Sequence, residues 1–127
     1  MSNIHQEETF EATPGKIYRA LIDAAEFAKL TGAPATGGGE EGSGFSLFGG
    51  HITGRQIELV PDRLVVQAWR AKPWPAGVYS IVRFALEPNG TGTRVLFDHD
   101  GFPADMKDHL AAGWTSNYWE PMRKLRG

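Results

Sequence analysis

The sequence predicts an α+β fold: a curved antiparallel sheet of six to seven strands packs against one long C-terminal helix, with two short helices after the first strand. Three observations lead there. Residues 104–125 repeat apolar side chains at helical spacing, so Leu110, Ala111, Trp114, Tyr118, Pro121, Met122 and Leu125 share one face. Lys107, Ala112, Ser116, Glu120 and Arg123 share the other. The middle of the chain is a series of β-rich runs separated by Gly49-Gly50, Pro61-Asp62 and Pro88-Asn89-Gly90, which is the punctuation of consecutive antiparallel hairpins. Thr13-Pro14 is a helix start, threonine as N-cap and proline at the first helical position.

In chain order, Asn3 to Glu11 reads as an exposed first strand. The helix opened by Thr13 buries Ile17, Leu21 and Ala24. A second spans Ala24 to Leu30 and stops at Thr31, Gly32 and Pro34. Ala35 to Gly44 is glycine-rich and reads as a mobile loop. Strands follow at Phe45–Phe48, Ile52–Val60, Leu64–Ala71, Val78–Glu87 and Thr93–His99, six with the first included and a seventh if one run breaks at a bulge. Alternation sets Val82, Phe84 and Leu86 opposite Arg83 and Glu87, and Val95, Phe97 and His99 opposite Arg94 and Asp98, so neighbouring strands present phenylalanines to one side. The terminal helix, roughly 30 Å long, spans the domain. Pro121 kinks or loosens its last turns, and Gly113 leaves space beside Trp114. Trp119 falls near the opposite side from Leu110, and Trp74 sits in a proline-flanked hairpin tip. Each reads either as local packing, under a loop or against the first strand, or as an exposed contact that a homodimer satisfies most simply.

The 127 residues, 41% hydrophobic, fit a single domain over 1–127 with a real core. The absence of cysteine excludes disulfides, thiolate metal sites and thiol nucleophiles, and fits a reducing cytoplasm. Met1 to Phe10 is polar and acidic, and no window approaches about 18 continuous apolar residues, so neither an export signal nor a membrane span is expected. Thirteen dispersed basic residues against fifteen acidic ones, net charge -2, give no electrostatic footprint for nucleic acid or an anionic membrane.

The order of elements, with certain phrases, resembles the SRPBCC or START-like superfamily. Its helix-grip fold is shared with polyketide cyclases and the major birch-pollen allergen. The phrases are similar to those of the branch named for the C-terminal domain of the activator of heat-shock protein 90 ATPase: Thr13-Pro14-Gly15-Lys16-Ile17-Tyr18-Arg19-Ala20-Leu21, Phe48-Gly49-Gly50-His51-Ile52-Thr53-Gly54, Val65-Val66-Gln67-Ala68-Trp69-Arg70, His99-Asp100-Gly101-Phe102-Pro103, and Gly113-Trp114 through Tyr118-Trp119-Glu120-Pro121. The resemblance covers nearly the whole chain. It implies the helix-grip fold, a hydrophobic cavity between sheet and helix and, more remotely, a chaperone partner; it transfers no catalytic residue. No counterpart of the co-chaperone's second, N-terminal domain is expected.

Within such a fold Trp69, Phe84, Phe97, His99, Trp114, Asn117 and Tyr118 are the candidate cavity residues, with polar selection falling to Tyr118, His99 or Asn117. The large aromatics read equally as plain core, and their number argues for a small cavity. His99 serves either to tie its strand end to the next loop or as a polar group at the cavity mouth. His51 reads as a turn residue. His5, His51, His99 and His109 lack metal-ligand spacing, so no metal and no cofactor are expected. Gly37, Gly39 and Gly42 match G-x-G-x-x-G only formally: no buried strand precedes them and Glu40-Glu41 would repel a phosphate. As a flexible loop they could instead serve as a lid over a cavity. The leading expectation is a non-enzymatic domain binding an apolar or aromatic small molecule. A co-chaperone-like protein-binding module and a polyketide cyclase-like enzyme are the alternatives.

Overall fold

The computed structural model describes residues 3–127. Its elements are β1 (Asn3–Phe10), α1 (Pro14–Ile22), α2 (Ala24–Thr31), β2 (Ala35–Gly37), β3 (Gly44–Leu47), β4 (Ile52–Val60), β5 (Leu64–Ala71), β6 (Ser80–Asn89), β7 (Gly92–Asp100) and a terminal helical segment. The seven strands form one antiparallel sheet in the order β1-β7-β6-β5-β4-β3-β2. This is the α+β helix-grip architecture, with the first strand closing beside the last.

The local signals act as physics requires. Thr13 Oγ1 accepts from the Lys16 backbone N–H at 3.4 Å and caps α1. Asp23 ends α1 and caps α2, accepting from the Glu26 N–H at 3.1 Å, while Gly32 closes α2 in the left-handed region. Gly54 is required by contact: a Cβ there would lie 2.0 Å from the Ala68 carbonyl oxygen and 2.5 Å from the Phe45 ring, which covers it from the paired strand.

Two expectations about the sheet are revised. The glycine-rich stretch is not a loop throughout, because Ala35–Gly37 pairs with β3 and supplies the seventh strand. At three residues it is too short to show a period-2 pattern. A bulge does occur, at Ile57 between Gln56 and Glu58, but it leaves β4 continuous and turns Ile57 out to solvent.

On the inner face Val82, Phe84, Leu86, Val95, Phe97 and His99 are all buried, and Phe84 pairs directly with Phe97 across β6 and β7, ring centroids 5.1 Å apart. The terminal segment lies on this face. It is not one α-helix but a 3-10 turn (Ala104–Met106), α3 (Lys107–Trp114), a π-helical turn (Thr115–Trp119) and α4 (Glu120–Met122). Pro121 accounts for the π turn. It has no N–H to give, and its ring would crowd the carbonyl of Asn117; the wider turn relieves that crowding, and Glu120 N–H reaches back five residues to the Thr115 carbonyl.

The extra residue in that turn overturns the placement of Trp119 on the far side of the helix. Residues five apart are brought round to one face, so Trp119 is fully buried, 6.2 Å from Trp114 ring to ring and 5.2 Å from Phe97. Its indole N–H donates to Gln6 Oε1 of β1 at 2.7 Å. Trp74 is buried as well, edge-on to Trp69 at 5.8 Å, because the Arg70 guanidinium donates to the Trp74 carbonyl and folds the hairpin tip back. For both tryptophans local packing is the reading the structure supports. Among the described residues no helix is long and apolar enough to cross a membrane.

Candidate ligand site

A cleft of about 280 Å³ opens between the terminal helix and the β4–β5 end of the sheet. The helix supplies Met106, His109, Leu110, Gly113, Trp114, Asn117 and Tyr118, a stripe spaced by three and four residues. From the sheet side come Phe48 and His51 of the β3–β4 turn, Ile52 and Trp69 on adjacent strands, and Ala71 and Pro73 where β5 ends. Gly113 widens the cleft: a Cβ at this position would have Asn117 Nδ2 as its nearest neighbour, at 3.8 Å.

Of the seven candidate residues, Trp69, Trp114, Asn117 and Tyr118 border this cleft. Phe84 and Phe97 stand one layer behind, beneath Trp114 at 5.9 and 4.4 Å. His99 also lies behind the wall, with no exposed surface. Met106, His109 and Leu110 belong to the stripe, and counting back in fours from Asn117 through Gly113 would have found His109. Phe48 was hidden because a phenylalanine at φ 54 has no sequence signature; Phe27 and Tyr118, 5.5 and 6.1 Å away, hold it there. The glycines at 37 and 38 line a separate small cleft beside Gln56 and Gln67, so no lid over the larger cleft comes from them.

His99 connects the two walls. The Ser80 hydroxyl donates to the Trp69 carbonyl at 2.8 Å, so the 2.7 Å contact between Ser80 Oγ and His99 Nε2 has the imidazole as donor. Nδ1 is then the acceptor for the Trp114 indole N–H at 3.0 Å. Burial pushes the His99 pKa down to about 3. With its lone pair occupied and the serine proton directed to a carbonyl, the Ser80–His99 pair has neither a free base nor an activated nucleophile. Its effect is to fix the orientation of Trp114.

Tyr118 is different. Its hydroxyl is buried and its pKa is raised by that burial, the nearby Trp69 indole partly opposing the rise. Yet neither the hydroxyl nor the Trp69 N–H completes a hydrogen bond among the described residues. No group of three or more His, Cys, Asp or Glu side chains converges among those residues to hold a metal ion.

A family model described as "Activator of Hsp90 ATPase homolog 1-like protein" matches residues 11–126. The human protein named activator of 90 kDa heat shock protein ATPase homolog 1 is 28% identical over 121 residues, covering 95% of this chain and 36% of that one. The chain thus spans about a third of the length of the curated relatives it matches. Among solved structures, an HSP90 activator from Plasmodium falciparum superposes with a TM-score of 0.88 at 23% identity, covering 94% of this chain and 92% of that one. The solution structure of the Aha1 dimer from Colwellia psychrerythraea gives 0.84 at 25% identity, covering 99% and 97%. A match from residue 11 to residue 126, carried on a helix-grip sheet and terminal helix of the same shape, means that the chain belongs to the family of activator of Hsp90 ATPase homolog 1-like proteins.

Proposed function

We propose that the domain binds a small apolar or aromatic molecule in the cleft between the sheet and the terminal helix. The observation that carries this reading is the cleft itself: about 280 Å³ walled by Phe48, Trp69, Trp114 and Tyr118, with no acid, lysine or arginine in its lining. Each 100 Å² of ligand surface buried there contributes about 2.5 kcal/mol before ordering costs. Native mass spectrometry of protein purified from its own host tests the reading, since it reports retained ligand and subunit number together. Trp114→Ala should weaken a captured ligand at least tenfold by removing a wall; unchanged affinity would place the ligand elsewhere.

A second reading is a co-chaperone-like module acting on a 90 kDa heat-shock protein, in a cytoplasmic setting. The names of the relatives support it, as do the exposed apolar side chains Ile57, Tyr79 and Ile81. A homodimer belongs to this reading, supported by the relative solved as a dimer rather than by Trp74 or Trp119. Stimulation of such a chaperone's ATPase, weakened by Ile81→Glu, would establish it; no effect at saturating protein would remove it.

A further inference from the structure

Resting on the homodimer within the second reading above, we propose that the outer face of the sheet over β4–β7 docks a second copy of this chain, about a twofold axis that runs along the strands between β5 and β6. Four residues make one row straight across these strands: Arg55 pairs with Ala68, Ala68 with Ile81, and Ile81 with Asp100. Their chain neighbours Gln56, Gln67, Trp69, Ser80, Val82 and His99 are buried on the inner face, so by the period-2 alternation of a strand the row points outward. Ile81 is 43% exposed there, and Ala68 and Val66 beside it are half-buried. The row therefore has an apolar centre open to solvent.

Charge decides what covers it. Arg55 stands one strand to one side of the Ala68–Ile81 pair and Asp100 one strand to the other, both exposed. Among the described residues neither belongs to an ion pair; the Arg55 guanidinium donates to the Gly42 carbonyl, which leaves its charge uncancelled. A twofold rotation about an axis midway between β5 and β6 exchanges the two sides of the row. Arg55 of each copy then faces Asp100 of the other, and Ile81 sits over the small Ala68. Strands about 4.8 Å apart put Arg55 and Asp100 each about 7 Å from the axis, and sheets stacked about 10 Å apart leave a gap that arginine and isoleucine side chains bridge. In the adjoining row, Glu58–Val66–Arg83–Asp98, the same rotation sets Glu58 opposite Asp98. Arg83 lies one strand in from its own Asp98 and from Glu58 of the other copy, and His5 bonds Asp98 at 2.7 Å, so both offset that repulsion. Opposite charges at equal distances from an apolar centre are complementary to the same face by symmetry, whereas an unrelated partner would have to match them independently.

A charge swap tests the arrangement. The wild-type chain, Arg55→Asp, Asp100→Arg, the double variant and an equimolar mixture of the two single variants are followed by sedimentation velocity from about 10 to about 300 µM at low salt, where charge contributes most. The wild type should dimerise reversibly. Each single variant should dimerise about tenfold more weakly, because the symmetry turns both of its charge pairs into like charges. The double variant should recover, and so should the mixture, since in a mixed dimer the two substituted positions meet each other and the two native residues meet each other. Recovery on mixing also shows that neither variant is misfolded. A wild-type dimer that both single variants leave unchanged, or that neither the mixture nor the double variant restores, forms through another surface; that overturns the inference and leaves the homodimer standing. A wild-type chain still monomeric at the highest concentration removes both. If that monomer also loses chaperone ATPase stimulation on Ile81→Glu, the face belongs to the chaperone instead.

Discussion

The two halves of the terminal helix face the same sheet with the same kinds of residue, and only one half is filled. At the C-terminal half the π turn brings Trp119 inward, where it is fully buried and packs with Phe10 and Phe97. At the N-terminal half Gly113 withholds a side chain beside Trp114, and the strand ends opposite carry Ile52 and Ala71, so a cleft remains. The difference does not lie in hydrophobicity. It lies in backbone register at one end and a missing Cβ at the other, together with two polar fates: His99 has partners on both ring nitrogens, whereas the Tyr118 hydroxyl has none among the described residues.

The contrast breaks most visibly in the filled half. Phe97→Ala removes a fully buried ring under both Trp114 and Trp119 and should cost about 3–5 kcal/mol in urea unfolding; a cost as small as a surface change would mean that the half is not packed. The satisfied histidine predicts an acid-side loss. Its folded pKa, about 3, lies below the unfolded value near 6.5, so its stabilisation is whole above pH 6.5 and falls as pH drops toward 3. Between pH 6.5 and 5 this amounts to about 2 kcal/mol, and His99→Gln should flatten that part of the stability curve relative to wild type. The unsatisfied tyrosine predicts a gain instead. Tyr118→Phe should stabilise the ligand-free protein by about 1 kcal/mol, read as a higher melting temperature. Smallest is Gly113→Ala, expected to add about 0.5–1 kcal/mol through helix propensity, since its new Cβ meets nothing closer than 3.8 Å. It should also weaken ligand binding, and a gain in both would dissociate the cleft from its glycine.

The sheet was legible because alternation and turn punctuation are local. The structure places Ile52–Val60 and Leu64–Ala71 at their expected bounds, and the inward sets on β6 and β7 include each expected residue. The terminal helix was legible as an element but not in phase. Sequence periodicity assumes a constant 100° per residue, and the proline that revises it acts four residues back, through a turn geometry no residue spells out. The cleft was half legible. Trp69, Trp114, Asn117 and Tyr118 follow from strand and helix phase, whereas Phe48 depends on a left-handed backbone and His99's retreat behind the wall depends on Ser80, a residue without a motif.

The hydrogen bond between Gln6 and Trp119 joins residues 113 positions apart, and among the described residues β1 pairs only with β7. The β3 to β7 meander needs nothing but neighbours in sequence, so it assembles from short closures. The first strand must wait for β7, and the helix that covers the sheet follows β7 in the chain. During synthesis, then, most of the sheet is in hand while β1 and the apolar inner face still lack their partners. The cleft exists only once residues 106–118 have docked on the sheet, so any occupant meets an assembled domain rather than a partly folded one.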